Sequence, residues 1–148
     1  MTDLIGTVVD RVAFDVERGK IREFARATRA EDPVHTDPEL AERSGFQDVL
    51  ATGTHVVVSG HYRDQRGFVD KLGLELSRVV VGSASWRYRR ALVAGDRLAG
   101  TRRVVADETR DGRKGGSLRL VTLETEFTDP LGEVVVTQRE VLIERGRG

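Results

Sequence analysis

"GTHVVVSGHYRDQRGFVDKLG", Gly53 to Gly73, is the stretch whose reading decides the fold. Val56, Val57 and Val58 have strand propensity. The wider window argues for a helix: apolar and small residues continue at helical spacing through Gly60 to Phe68 and Val69, and Gly73 supplies a stop. The stretch is therefore expected to be one helix, with a mixed segment before it and a strand-rich half after it.

Upstream, Val9–Val16 places Val12, Phe14 and Val16 on one side, as a strand does. From Glu17 to Thr28 the period changes, and Ile21, Phe24, Ala25 and Thr28 fall at helical spacing. A short helix follows in "TDPELAERSG": Thr36 or Asp37 can cap it, Pro38 suits its first turn and Gly45 ends it. Downstream, four strands are expected over 74–92, 99–110, 117–127 and 134–144, separated by the turns "VAGDRL", "DGRKGG" and "DPLGE". Strand, helices and then antiparallel strands describe a single α+β domain over residues 1–148, a curled sheet packed on one long helix. Long bare edge strands invite pairing, so a second copy or a homologous chain is expected at an edge.

Lys plus Arg and Asp plus Glu are 24 each, so the formal net charge is zero. This balance argues against a dedicated nucleic-acid binder. The absence of cysteine excludes disulfides and thiolate metal sites, and with three histidines a protein-built zinc site is not expected. No apolar run has the length of a membrane span, and the N-terminus lacks the features of a signal peptide. A cytoplasmic location is the default expectation.

Candidate chemistry gathers between Thr28 and His61. His35 is restrained by Pro33 before it and a capped helix after it. It is either a proton shuttle or a histidine that fixes the turn by hydrogen bonding. If a helix starts at Gly53, free amide N–H groups there can stabilise an enolate oxygen, and glycine lets a ligand approach the backbone. The alternative is a loop glycine before a Thr54 cap. His61 comes eight residues after Gly53, just over two helical turns, so both can face one side; the alternative places it on the wet face. His55, close to the helix start, is expected to point away. Asp32 can cap the turn, with Glu31 in solvent. Alternation puts Trp86, Tyr88 and Arg90 on one strand face, and arginines at a cleft mouth could meet phosphates or an acidic partner. No glycine-rich phosphate loop and no nucleophile motif is present.

"ATRAEDPVHTDPELAERSGFQDVLATGTH" resembles the motif region of the MaoC-like and R-specific enoyl-thioester hydratases, which have the hot-dog fold. The family pattern runs Ser/Thr-Gly-Asp-x-Asn-Pro-Leu-His, then Asp-Pro, an Ala, Gly-Phe and His-Gly-Met. Thr28, Pro33, Val34, His35, Asp37, Pro38, Ala41, Gly45, Phe46 and Gly53 fall in register with it, and "RRALVAGDRL" is similar to a later strand-turn of the family. The resemblance implies an acyl-thioester hydratase or dehydratase. The substrate would be carried on CoA or phosphopantetheine, with no further cofactor. His35 would handle the water and the Gly53 amide would receive the thioester oxygen.

The departures are as informative. The family's catalytic Asp falls on Ala30, its Gly on Arg29, its Asn on Asp32, the His before the oxyanion Gly on Thr52, and a Ser of the central helix near His61. The chain therefore also resembles the catalytically incomplete subunits of two-chain hydroxyacyl-carrier-protein dehydratases, whose partner supplies the chemistry. The candidate site set is His35, Gly53, His61 and Asp32, with no metal ligand. A non-catalytic acyl-binding subunit, and a repurposed enzyme that adds an internal hydroxyl or cyclises its substrate, are the two rival readings. The expected assembly is a homodimer or a heterodimer with a homologous hot-dog chain, without nucleic acid or membrane.

Overall fold

A computed structural model describes residues 3–146. The chain runs β1 (Val8–Asp15), α1 (Arg18–Ala27), α2 (Pro38–Arg43), α3 (Gln65–Lys71), β2 (Val79–Tyr88), β3 (Arg97–Asp111), β4 (Ser117–Thr128) and β5 (Val134–Arg145), with short 3-10 segments at Pro33–His35, His55–Tyr62 and Leu76–Arg78. The strands form one five-stranded antiparallel sheet in the order β1-β3-β4-β5-β2. Shifts of register in β1, β2, β3 and β4 mark irregularities that help it curl.

One face of the sheet carries the core in two clusters. The first joins Phe14, Leu98, Phe127 and Val136 to Ile21, Val49, Ala51 and Val56. The second joins Val9, Val104, Leu123 and Leu142 to Phe68 and Val69 of α3 and to Leu72, its C-cap. Between them lies charge. Arg102 is 3 % exposed and binds both Asp10 carboxylate oxygens and Glu140. Arg63 also reaches Asp10, and the Arg102 guanidinium lies 4.0 Å from the Phe68 ring centroid. Burial, helped by the neighbouring Arg102, pulls the Arg63 pKa down, while Asp10 opposes the shift.

The expected single helix over Gly53–Gly73 is divided. His55–Tyr62 winds as a 3-10 helix, Arg63 is extended, and α3 begins after Asp64, whose side chain accepts from the Gly67 amide at 3.0 Å. The physical reason lies in the residues: β-branched valines and Gly60 make a poor α-helix, Asp64 offers a new N-cap, and the Asp10 ion pair holds Arg63 between the two pieces. The strand expected from Leu74 starts at Val79, because Leu76–Arg78 form a 3-10 turn, and it stops at Tyr88 rather than Leu92. Val80 to Ser85 of β2 are exposed, and this strand lies at the end of the sheet. The unpaired edge expected from the sequence is therefore present.

Candidate active site

The turn at His35 is built by side chains reading their own backbone. Asp32 Oδ1 accepts from the Val34 amide at 2.9 Å, so Asp32 caps the segment Pro33–His35, while Asp37 caps α2 through Glu39 and Leu40. Glu31 is exposed. The Leu50 amide bonds to the Val34 carbonyl at 3.0 Å, and His35 Nδ1 lies 2.6 Å from the Leu50 carbonyl. A carbonyl oxygen only accepts, so Nδ1 carries the hydrogen, and in the neutral ring the lone pair is then on Nε2. Among the described residues no carboxylate forms an ion pair with His35.

Ala30 stands on an unusual scaffold. α1 ends in a paired hydrogen-bond motif, Ala30 N to Ala25 O at 2.8 Å and Arg29 N to Arg26 O at 3.2 Å, which puts Arg29 in the left-handed region at φ 57°. α2 ends in the same way at Gly45 and α3 at Gly73, both glycines. At Arg29 the conformation costs about 1–2 kcal/mol more than for glycine. The position where the resembled pattern has glycine thus keeps the glycine conformation without the glycine.

Leu50 leads in three residues to Gly53. The Gly53 amide has no hydrogen-bond acceptor among the described residues, and a Cβ built there would meet nothing within 4 Å, so the backbone is open to approach. The Tyr88 hydroxyl donates to the Gly53 carbonyl at 2.5 Å. Burial pushes the Tyr88 pKa up to about 12, which keeps it a neutral donor.

Among the described residues no hydrogen bond or ion pair links His61 to this group. The 3-10 segment starts at His55 after its N-cap Thr54, so Gly53 precedes it while His61 lies inside it. His61 is exposed. The expected pairing of His61 with Gly53 on one side presupposed an α-helix. His55 is fully buried, its ring edge-on to Phe24 with centroids 5.6 Å apart, and neither ring nitrogen has a partner. Desolvation, with a smaller contribution from Lys20, lowers its pKa to about 4. Because the folded value lies below the ordinary value of about 6.5, the stability from keeping His55 neutral is full above pH 6.5 and is lost as pH falls toward 4. Chemical denaturation should show wild type losing about 3 kcal/mol more than His55→Phe between pH 7 and pH 4; parallel curves would refute this. Arg90 lines a surface cleft together with Arg89, Asp129 and Glu133. It lies beyond β2 and forms a forked pair with Asp96. Among the described residues no group of three His, Asp or Glu is placed to hold a metal ion, and no helix is long and apolar enough to cross a membrane.

Residues 3–138 match the family model described as the FAS1-like dehydratase domain region. The chain belongs to that family. Among curated relatives of this FAS1-like dehydratase-region chain, a UPF0336 protein of Clavibacter michiganensis subsp. michiganensis is 40 % identical over 146 residues, covering 97 % of this chain and 95 % of the relative. A UPF0336 protein of Saccharopolyspora erythraea is 39 % identical over 135 residues, covering 90 % and 83 %. In fold, the chain is similar to the C-terminally truncated HadBC (3R-hydroxyacyl-ACP dehydratase) complex of Mycobacterium tuberculosis, with TM-score 0.79, 24 % identity and coverage of 96 % and 98 %. A MaoC-like dehydratase gives TM-score 0.79 at 25 % identity, with 96 % of this chain on 43 % of that one. The ChsH1-ChsH2 complex of Mycobacterium tuberculosis gives 0.68 at 24 %, covering 98 % and 100 %. The FAS1-like dehydratase-region chain thus has the MaoC-like hot-dog fold expected from "EDPVHTDP" and its surroundings.

Tyr88 is the site residue that sequence reasoning did not assign. Alternation placed it on the same strand face as Trp86, but nothing in the sequence gives the register between β2 and Gly53. The conformation of Arg29 did have a signal, since it follows the last turn of a helix at the position where the resembled pattern has glycine.

Proposed function

We propose that this chain works on acyl thioesters, carried on CoA or phosphopantetheine, as a hydratase or dehydratase whose own half-site lacks the carboxylate. The observation that supports it is the tautomer of His35: with Nδ1–H held by Leu50, Nε2 is free to accept a proton. In the hydration direction, a water bound at Nε2 gives up a proton as its oxygen bonds to C3 of a trans-2-enoyl thioester. The C2–C3 π electrons move toward the thioester oxygen, where the Gly53 amide receives the charge. C2 then takes the proton that Nε2 accepted from the water, and the enolate collapses to the 3-hydroxyacyl thioester with His35 returned to its neutral form. In the family resembled, the Asp that would share this proton handling falls on Ala30.

The missing carboxylate is supplied by a second hot-dog chain, either a copy with a rebuilt acid or a homologue with an intact Asp–His pair. The open edge of β2, with Val80 and Val81 40 % and 63 % exposed, supports such a partner. The HadBC and ChsH1-ChsH2 structures are themselves complexes. The test is an assay of the purified chain on crotonyl-CoA and longer trans-2-enoyl thioesters, alone and mixed with a homologous chain that has the full motif. Activity weak alone and restored on mixing is the expected result. Absence of enoyl-thioester binding in both arms overturns the reading.

A further inference from the structure

We infer that Tyr88 is a positioning residue for the thioester oxygen: its hydrogen bond to the Gly53 carbonyl sets two consecutive amides, those of Gly53 and Thr54, to donate to the substrate. The inference rests on the reading of Gly53 given above and adds a residue and a second donor to it.

The backbone around Gly53 is fixed through its carbonyls and free at its amides. The Thr52 carbonyl accepts from the His55 amide at 3.1 Å, and the Gly53 carbonyl accepts from Tyr88. In a trans peptide the C=O and N–H point in opposite directions. Holding the Thr52 oxygen therefore aims the Gly53 N–H, and holding the Gly53 oxygen aims the Thr54 N–H. Neither N–H has an acceptor among the described residues. Successive free amides of this kind form an anion-binding concavity. Without the Tyr88 hydroxyl, the Gly53–Thr54 peptide would be free to rotate, because glycine imposes little restraint on its own backbone.

Two further polar atoms belong to residues close in sequence to the two partners of this hydrogen bond. Thr52 Oγ1 and Trp86 Nε1 are each buried and have no partner. Trp86 lies two residues before Tyr88 on β2, and both pack against the cluster that contains Ala51 and Val56. Buried donors without partners are rare and need a ligand group or a water to satisfy them. They mark this strip, between β2 and the entry to the 3-10 helix, as the place where a polar head of the substrate belongs.

The experiment compares wild type with Tyr88→Phe, using trans-2-octenoyl-CoA labelled with carbon-13 at the thioester carbonyl. Isotope-edited infrared spectra report polarisation of the bound carbonyl directly, which a merely structural role of Tyr88 would not move. Wild type should shift the carbonyl stretch to lower frequency. Tyr88→Phe should bind within about threefold of wild type yet lose most of the shift, and kcat of the active assembly should fall on the order of tenfold to a hundredfold with KM little changed. Tyr88→His, which retains a ring N–H donor, should recover part of the shift and keeps the test open if the phenylalanine variant folds poorly. A full shift in Tyr88→Phe overturns the inference and leaves the proposed function standing; an unshifted carbonyl in a wild-type complex overturns the inference together with the role of the Gly53 amide. No binding of the thioester by wild type, alone or with a partner, overturns that function and the inference with it.

Discussion

Ala30→Asp should increase hydration of a trans-2-enoyl thioester by roughly a hundredfold to ten-thousandfold, the usual contribution of a positioned general acid or base. The local backbone favours this outcome. Ala30 N is bonded to Ala25 O, and Arg29 has the left-handed φ that follows a helix end. The direction of the bond to the residue-30 side chain is thereby fixed by α1 and not by the side chain itself. Ala30 stands five positions before His35, the spacing of the resembled motif, and it is half-buried. A carboxylate there would share the water with His35 Nε2. His35→Ala in the same background should abolish the gain. A natural chain that turns over a substrate fast, and slows when Asp is introduced, would show a site rebuilt around another acid or a substrate hydroxyl. The repurposed-enzyme reading would then replace the hydratase one.

Asp10→Ala should cost about 3–5 kcal/mol of stability, the usual result of breaking a buried ion pair from one side. The side chains of Arg102 and Arg63 are only 4 % and 5 % exposed, and both bind Asp10. Removing it leaves Arg63 without its carboxylate and Arg102 with Glu140 alone. For a chain of this size the midpoint of thermal unfolding should fall by roughly 10–20 °C. Asp10→Asn, which keeps the shape but not the charge, should cost much of the same. Replacing all four members by apolar residues of similar volume should restore part of the loss, since the network is expensive to desolvate as well as to break. A shift of less than about 1 kcal/mol in Asp10→Ala would show that water screens the network and that the two clusters pack without it.

Legibility in the sequence followed locality. Asp37, Pro38 and Gly45 begin and end α2 with signals only a few residues apart, and the structure uses Asp37 and Gly45 in those roles. In β4 the buried residues Val121, Leu123, Thr125 and Phe127 alternate with more exposed ones, a period of two that is local to the strand. The division of the Gly53–Gly73 stretch was less accessible. Asp64 is a local cap signal, but the partner that holds Arg63 extended is Asp10, brought near only by the folded sheet. The same holds for the site. His35 and Gly53 could be placed from a contiguous motif, whereas the roles of Leu50 as an acceptor for His35 and of Tyr88 as a donor to Gly53 depend on contacts across 15 and 35 residues. The helical count from Gly53 to His61 lost its basis because the stretch winds as a 3-10 segment from His55 to Tyr62 and not as an α-helix from Gly53.

The row of charge between the two apolar clusters has a consequence for how the molecule breathes. Phe68, Val69 and Leu72 share their cluster with the far ends of the strands, while Val56 and Ala51 beside Gly53 belong to the other. A fluctuation that lifts α3 therefore need not loosen the backbone around Gly53, and the extended link at Arg63 is where the two motions part. Native-state hydrogen exchange should show amides of α3 opening with a lower free energy than the buried amides of β3 and β4. If all of them exchange only through global unfolding, the charged row acts as a weld and not as a seam.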